Sequence, residues 1–236
     1  VEPVIGGATR LVGLLGDPVS GSLSPRMQNA AFAARGLDWT YVPLPVAAEH
    51  LADAVRGLVA LGFAGANITI PHKLAVVELC DEADADAVNT LVVDGRRVIG
   101  SNTDREIVAG LDPACVCLIG AGGAAAALQP AFSGEVRVYS RRGEWPPNAD
   151  GCDLIVNVTP VRDELLVEPR RGQAVVDLAY RSDGSETALV AAARAAGCDP
   201  VVDGLEALVR QGAASFERWT GVPAPIDVMR AAVRSA

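Results

Sequence analysis

The sequence predicts an α/β protein of two lobes with mostly parallel sheets. Apolar runs alternate with helical patterns almost from the start, the alternation begins afresh at Ala114 with a glycine-rich turn, and 236 residues suit one large or two compact units. With 50% hydrophobic and 21% charged residues, 24 Gly and 15 Pro, the chain is neither disordered, collagenous nor coiled-coil, and it should bury a substantial core. No run approaches the ~18 uninterrupted apolar residues of a membrane span, and no basic segment leads into a cleavable apolar stretch. A soluble, cytoplasmic protein without a membrane partner is expected.

In the first lobe, residues 11–16 (LVGLLG) read as a buried strand, 24–36 as a helix opening at Ser24-Pro25, 40–46 as a strand, 48–61 as a helix and 65–70 as a third strand. That is a βαβαβ unit with right-handed crossovers. A helix from Pro71 to Cys80 is expected next, then strands at 88–93 and 97–100 flanking Asp94-Gly95, a type I′ hairpin signal. The second lobe repeats the logic: CVCLIG, VRVYS, DLIVNVTP, QAVVDLAY and Val201-Val202 read as strands, with helices after the glycine turn and from about Ser185 to Ala196. Two helices, 205–219 and 224–235, close the chain. Only about a dozen residues, including Trp145-Pro146-Pro147, separate the strands ending near Tyr139 and beginning near Asp153. Pro-Pro opposes a helix interior, so that crossover helix should be missing or vestigial.

The net charge of −9 argues against a nucleic-acid partner, because such binding rests on phosphate neutralisation. Five cysteines cannot all pair, and none has zinc-ligand spacing; a reducing compartment and no metal are expected. Cys115 and Cys117 read as buried apolar filler on a strand. Of the 20 basic residues only Lys73 is a lysine. Arginine keeps its proton in proteins whereas a desolvated ammonium can release one, so Lys73 is a candidate for proton transfer.

Gly120-Ala121-Gly122-Gly123-Ala124-Ala125 follows a strand and opens a helix, the context in which a glycine pattern reads as dinucleotide binding. Its backbone amides can approach a pyrophosphate. About 20 residues on, where an acidic residue would mark NAD, the chain has Ser140-Arg141-Arg142. Guanidinium groups suit a 2′-phosphate, which favours NADP. In the first lobe, Ser22 and Ser24 sit where the first strand hands over to its helix. Asn67 and Thr69 share one face of the third strand below Lys73, and Asn89-Thr90 and Ser101-Asn102-Thr103-Asp104 add polar groups at strand ends. Together they form a candidate concave site, although each alone reads equally as a cap or turn.

The strings GDPVSGSLSP, GANITIPHK, DAVNTLV, GSNTD, LIGAGGAA, SRR, VVDLAY and GLEALVRQGAASFERWTG resemble, in this order, those of shikimate dehydrogenases, and the resemblance covers essentially the whole chain. It implies a substrate-binding lobe, residues 1–104 completed by C-terminal helices 213–236, and a Rossmann-type NADP-binding lobe, residues 105–212, with the abbreviated crossover. It further implies that Lys73 and Asp104 form the catalytic pair and that Ser22, Ser24 and Tyr180 hold the substrate carboxylate. Thr69, Asn89, Asp104 and Gln211 would bind the ring hydroxyls. Gly120, Ala121, Gly122, Gly123, Ala124, Ser140, Arg141, Arg142, Thr159 and Gly204 would line the cofactor. The implied activity is reversible NADP-dependent reduction of 3-dehydroshikimate to shikimate, in aromatic amino acid and chorismate biosynthesis, with lobe closure, in a monomer or homodimer.

Alternatives are a quinate/shikimate or aminoshikimate dehydrogenase, or a catalytically silent ligand-sensing homologue. Departures from the family pattern are Gly21 for histidine, Arg105 for glycine, Ala207 for methionine, and Thr159-Pro160-Val161 without the following Gly-Met. They bear on the nicotinamide pocket and the adenosine wall.

Overall fold

In the computed structural model, which describes residues 5–235, the first apolar run forms β1 (Arg10–Gly16), buried from Val12 to Gly16. Helix α1 (Ser24–Ala34) follows with Pro25 at its start, where a missing N–H costs nothing. Strand β2 (Trp39–Pro45), a 3-10 turn at Ala48–His50, α2 (Leu51–Ala60) and β3 (Gly65–Ile68) complete the βαβαβ unit. Both β2 and β3 pair parallel with β1. Strands β4 (Glu82–Ala83), β5 (Thr90–Asp94) and β6 (Arg97–Ser101) extend the sheet to the order β2-β1-β3-β5-β6-β4. The β3–β5 and β5–β6 pairs are antiparallel, so this sheet is mixed at one side.

Three local expectations need correction. Residues 71–80 form no α-helix: turns lead into a 3-10 helix at Ala75–Leu79. The His72 N–H closes a local turn to Thr69 O at 2.9 Å, and Lys73 O accepts from Val88 N at 2.8 Å, so a tertiary partner takes a carbonyl that a helix would use. Strand β3 stops at Ile68, leaving Ile70 66% exposed instead of sharing the buried face of Ile68. The β5–β6 hairpin exists, but only Gly95 of its two loop residues has positive φ (60°). A type I′ turn needs positive φ at both positions, so this turn is of another type.

A second sheet follows: β7 (Cys115–Ile119), β8 (Glu135–Tyr139), β9 (Leu154–Asn157), β10 (Ala174–Asp177) and β11 (Val201–Val202) in the order β11-β10-β9-β7-β8. All its pairs are parallel. Helix α3 (Gly123–Leu128) runs into a 3-10 turn at Gln129–Ala131, and α4 (Ala188–Ala196) begins at Thr187, whose hydroxyl accepts from Val190 N. The β8–β9 crossover contains no helix, as the prolines require. The chain ends with α5 (Gly204–Thr220) and α6 (Ile226–Arg234). None of the described helices is long and apolar enough to cross a membrane.

Two compact units result, residues up to Asp104 with Val209–Ser235, and Arg105–Leu208. In the first, Leu15, Leu58, Ile68, Val76 and Leu91 fill one side of the sheet. On the other, Phe32 packs between Trp39 and Phe216, with ring centroids 5.5 and 5.3 Å away. In the second, Val116, Leu118, Leu128, Leu154 and Val176 form one core layer, which also holds Ala207. Cys117, Ile119 and Ile155 belong to the opposite layer. Cys115 is buried there as expected, but its sulfur meets that of Cys152, a pairing that reading it as filler does not include; Cys80, Cys117 and Cys198 remain thiols. Burial and Asp81 push the Cys80 thiol up to about 11, and burial pushes Cys117 up to about 11, so both stay protonated and unreactive near neutral pH.

Gly65 lies where β5 and α5 both come close to β3. A Cβ there would stand 2.1 Å from Leu91 O and 2.6 Å from Trp219 Nε1, which donates to that same carbonyl. Gly65→Ala is therefore expected to cost about 2–3 kcal/mol by urea unfolding. Gly212→Ala, which meets mainly the movable Met27 methyl, should cost less. Equal losses would contradict this packing.

Candidate active site

The polar groups singled out in the first lobe gather at the carboxyl ends of β1 and β3 and the adjoining ends of β5 and β6. The 69–74 turn is anchored on three sides. Thr69 N bonds Leu15 O at 2.9 Å, Asp17 N bonds Ile70 O at 3.0 Å, and the His72 ring lies 2.7 Å from Val46 O. A carbonyl only accepts, so His72 carries its proton on Nε2. His72 is thus a buried structural residue, and it fixes the neighbour that follows. Lys73 Nζ reaches Asp104 Oδ2 at 2.5 Å, with side-chain exposures of 14% and 5%.

Asp104 is placed as firmly. Asn102 Oδ1 accepts from Asp104 N at 2.8 Å, and the Asn102 side chain donates to Ala87 O. This local turn uses asparagine's ability to bond the backbone two residues on. The second carboxylate oxygen, Oδ1, accepts from Asn89 Nδ2 at 2.7 Å. The Asn89 amide has only one possible orientation, because its Oδ1 accepts from Thr103 N, Thr103 Oγ1 and Thr90 Oγ1 at 2.9, 3.1 and 2.9 Å. A rotated amide would set its NH₂ against the Thr103 N–H. Asn89 therefore presents N–H alone to Asp104 and to anything bound beside it.

Ser22, Ser24, Thr69, Asn89, Asp104, Lys73 and Gln211 all belong to the first unit. Ser22 Oγ accepts from Ser24 N at 3.2 Å, which leaves the Ser22 proton to donate elsewhere. The methyl of Thr69 lies where a Cβ on Gly16 would sit, so that glycine lets the turn close over the end of β1. Gln211 lies on α5, with its backbone carbonyl bonded by Ser215 Oγ. Two residues bonded to Asn67 carried little sequence signal. Ser215 reads only as i+4 from Gln211, and Tyr41 as one more aromatic on an apolar strand.

The remaining sequence-predicted residues belong to the second unit, at the carboxyl ends of its strands. Strand order reverses between β7 and β9, the place where open α/β sheets receive ligands. Gly120 needs its left-handed φ of 123°, and a Cβ there would stand 2.5 Å from Val158 Cγ2. Ala121 and Gly122 are exposed and Gly122 faces open space, a surface on which backbone can approach a pyrophosphate. Gly123 and Ala124 open α3, which is short. Ser140 follows β8 in a tight turn closed by its N–H to Glu144 O at 3.0 Å. Arg141 and Arg142 are exposed there. The Arg141 guanidinium stands 5.7 Å over the Trp145 ring and 3.6 Å from Glu164, an exposed pair that a phosphate could replace at small cost.

Thr159 is held by Asn157, whose Oδ1 accepts from Thr159 N and Oγ1 at 3.0 and 2.7 Å. Asp177 in turn fixes Asn157, accepting from its Nδ2 at 2.9 Å and from Thr187 Oγ1 at 2.5 Å. Burial raises the Asp177 carboxyl above its usual range, against the lowering by these donors. Tyr180 follows β10, and Gly204 opens α5, where a Cβ would strike Ala179 O at 2.2 Å. The residues present thus fit an NADP-type dinucleotide: an open glycine turn, two cations after β8 and an anchored loop after β9. Among the described residues no cluster of His, Cys, Asp or Glu could hold a metal ion.

Residues 14–93 match the model of the shikimate dehydrogenase substrate binding domain, and 204–234 that of the shikimate 5'-dehydrogenase C-terminal domain. Shikimate dehydrogenase (NADP(+)) of Rubrobacter xylanophilus is 41% identical, covering 98% of each chain. A crystal structure of shikimate dehydrogenase in complex with NADP+ superposes with a TM-score of 0.86 at 31% identity, over 98% of this chain and 97% of that one. The Thermus thermophilus enzyme in complex with NADP(H) and shikimate gives 0.82 at 30% identity, over 96% and 99%. With the glycine turn and the Lys73–Asp104 pair both in place, the chain belongs to the shikimate dehydrogenase family.

Proposed function

We propose that the protein catalyses the reversible NADPH-dependent reduction of 3-dehydroshikimate to shikimate. The observation that carries this reading is the Lys73–Asp104–Asn89 constellation, a cation, a carboxylate and a fixed N–H donor gathered in one buried corner of the unit that also holds Ser22, Ser24 and Thr69. NADPH supplies the hydride when bound. Lys73 delivers the proton to the carbonyl oxygen of the substrate as negative charge develops there. Asp104 aims that ammonium and accepts from a substrate hydroxyl, so the proton donor is oriented before reaction.

Asn89, limited to donating, receives a ring hydroxyl as its acceptor, with Thr69 and Gln211 holding the others. Ser22, Ser24 and Tyr180 bind the carboxylate through hydroxyl hydrogen bonds, without a neutralising charge. Gly120, Ala121, Gly122, Gly123 and Ala124 offer backbone to the pyrophosphate, Ser140, Arg141 and Arg142 take the 2′-phosphate, and Thr159 and Gly204 line the nicotinamide end. This assignment gives the protein a place in aromatic amino acid biosynthesis in the cytoplasm, acting as a monomer or homodimer.

Two outcomes are expected. Lys73→Ala should lower kcat by about 10²-fold or more while shikimate affinity, measured by calorimetry, changes little; near-wild-type turnover would remove the assigned role. The double variant Arg141→Ala with Arg142→Ala should raise KM for NADP+ by about tenfold or more and leave NAD+ kinetics unchanged; equal effects on both cofactors would assign these arginines elsewhere. Steady-state rates with shikimate and quinate separate the substrate alternatives, and absence of turnover with either would indicate a ligand-sensing homologue.

A further inference from the structure

Tyr41 lies on β2 and is fully buried, yet its hydroxyl has a buried polar partner. It donates to Asn67 Oδ1 at 2.9 Å. Burial raises its pKa so strongly that the phenol stays protonated and remains a donor. The position of the ring is set by Asn29 of α1, which accepts from Tyr41 N at 2.8 Å and donates to Tyr41 O at 3.0 Å. Helix α1 is also the element that begins with Ser24.

From Asn67 the hydrogen bonds lead on to Asp104. With its oxygen taken by Tyr41, Asn67 turns its NH₂ toward Ser215 Oγ, Thr90 Oγ1 and Asn89 O at 2.9, 3.1 and 3.1 Å. Thr90, accepting from Asn67, donates to Asn89 Oδ1 at 2.9 Å, and Asn89 donates to Asp104. We propose that Tyr41 is a positioning residue for the Lys73–Asp104 pair, holding through Asn67, Thr90 and Asn89 the amide orientation on which Asp104 depends. Without the phenolic donor, the buried Asn67 oxygen loses its partner. The amide then has reason to rotate, which sets oxygen against Asn89 O and removes the donor to Thr90. The orientation of Asn89 and Asp104 is loosened.

This inference rests on the shikimate reading above, and the test separates the two. Shikimate oxidation is measured for wild type, Tyr41→Phe, Asn67→Asp and the double variant, well below their unfolding temperatures. Tyr41→Phe is expected to lower kcat about tenfold and raise the shikimate KM several-fold, with the NADP+ KM unchanged. In the Asn67→Asp background its effect on kcat should shrink to less than about twofold, because the amide whose orientation it fixes is already gone. A merely structural hydroxyl would lower the unfolding temperature and leave kcat and KM alone, which would overturn the inference. So would full additivity of the two kcat effects. Should Tyr41→Phe not fold, Asn67→Asp, which keeps the acceptor for Tyr41 but lacks the NH₂, must show the same kcat loss; wild-type kcat there also overturns it. A wild type inactive toward shikimate defeats the parent reading and this inference together, whereas an active wild type with an indistinguishable Tyr41→Phe variant defeats only the inference.

Discussion

The ammonium of Lys73 and the carboxylate of Asp104 face each other with little water around either, and the surrounding structure is arranged to keep them so. A carboxylate withdrawn from solvent is costly unless its oxygens are bonded, and here one oxygen meets the cation while the other meets a fixed amide. Removing one partner would leave an uncompensated buried charge, a loss of about 3–5 kcal/mol in comparable cases. The anchored turn before Lys73, the asparagine turn before Asp104 and the locked Asn89 amide all meet this requirement. The result is an ammonium aimed by the fold before any substrate arrives.

The second unit solves a different problem with similar means. Its strand ends must expose backbone to an anionic ligand, so the glycine turn stays open while the loop after β9 is fastened from beneath by Asn157 and Asp177. Asp177 has no cation among its hydrogen-bond partners and accepts only from an amide, a backbone N–H and a hydroxyl. Its raised pKa reflects burial winning over those donors. Both units thus use buried asparagine to orient a neighbouring functional group, Asn89 toward Asp104 and Asn157 toward Thr159.

Much of this was legible in residue order. Alternation placed every major strand, the Pro-Pro pair foretold the missing crossover helix, and the solitary lysine singled out the residue proposed as proton donor. The failures share a cause in long-range bonding. The segment from Pro71 to Cys80 has helical apolar spacing, but partners as distant as Val88 occupy its backbone groups. Ser215 and Asn67 stand 148 residues apart in sequence, so no local pattern could bring them together. Cys115 and Cys152 likewise meet only once β7 and β9 are side by side. Period and turn residues report on neighbours along the chain, whereas the polar network is a property of the assembled sheet and α5.

The claim that Lys73 and Asp104 act as one unit is tested most directly by a kinetic cycle on the pair itself. Single-turnover rates would be compared for Lys73→Ala, Asp104→Asn and the double variant, each with saturating substrate and cofactor. If the carboxylate serves by aiming the ammonium, the double variant should be no slower than the slower single variant, within about threefold. Losses that multiply would show two independent contributions and contradict the account.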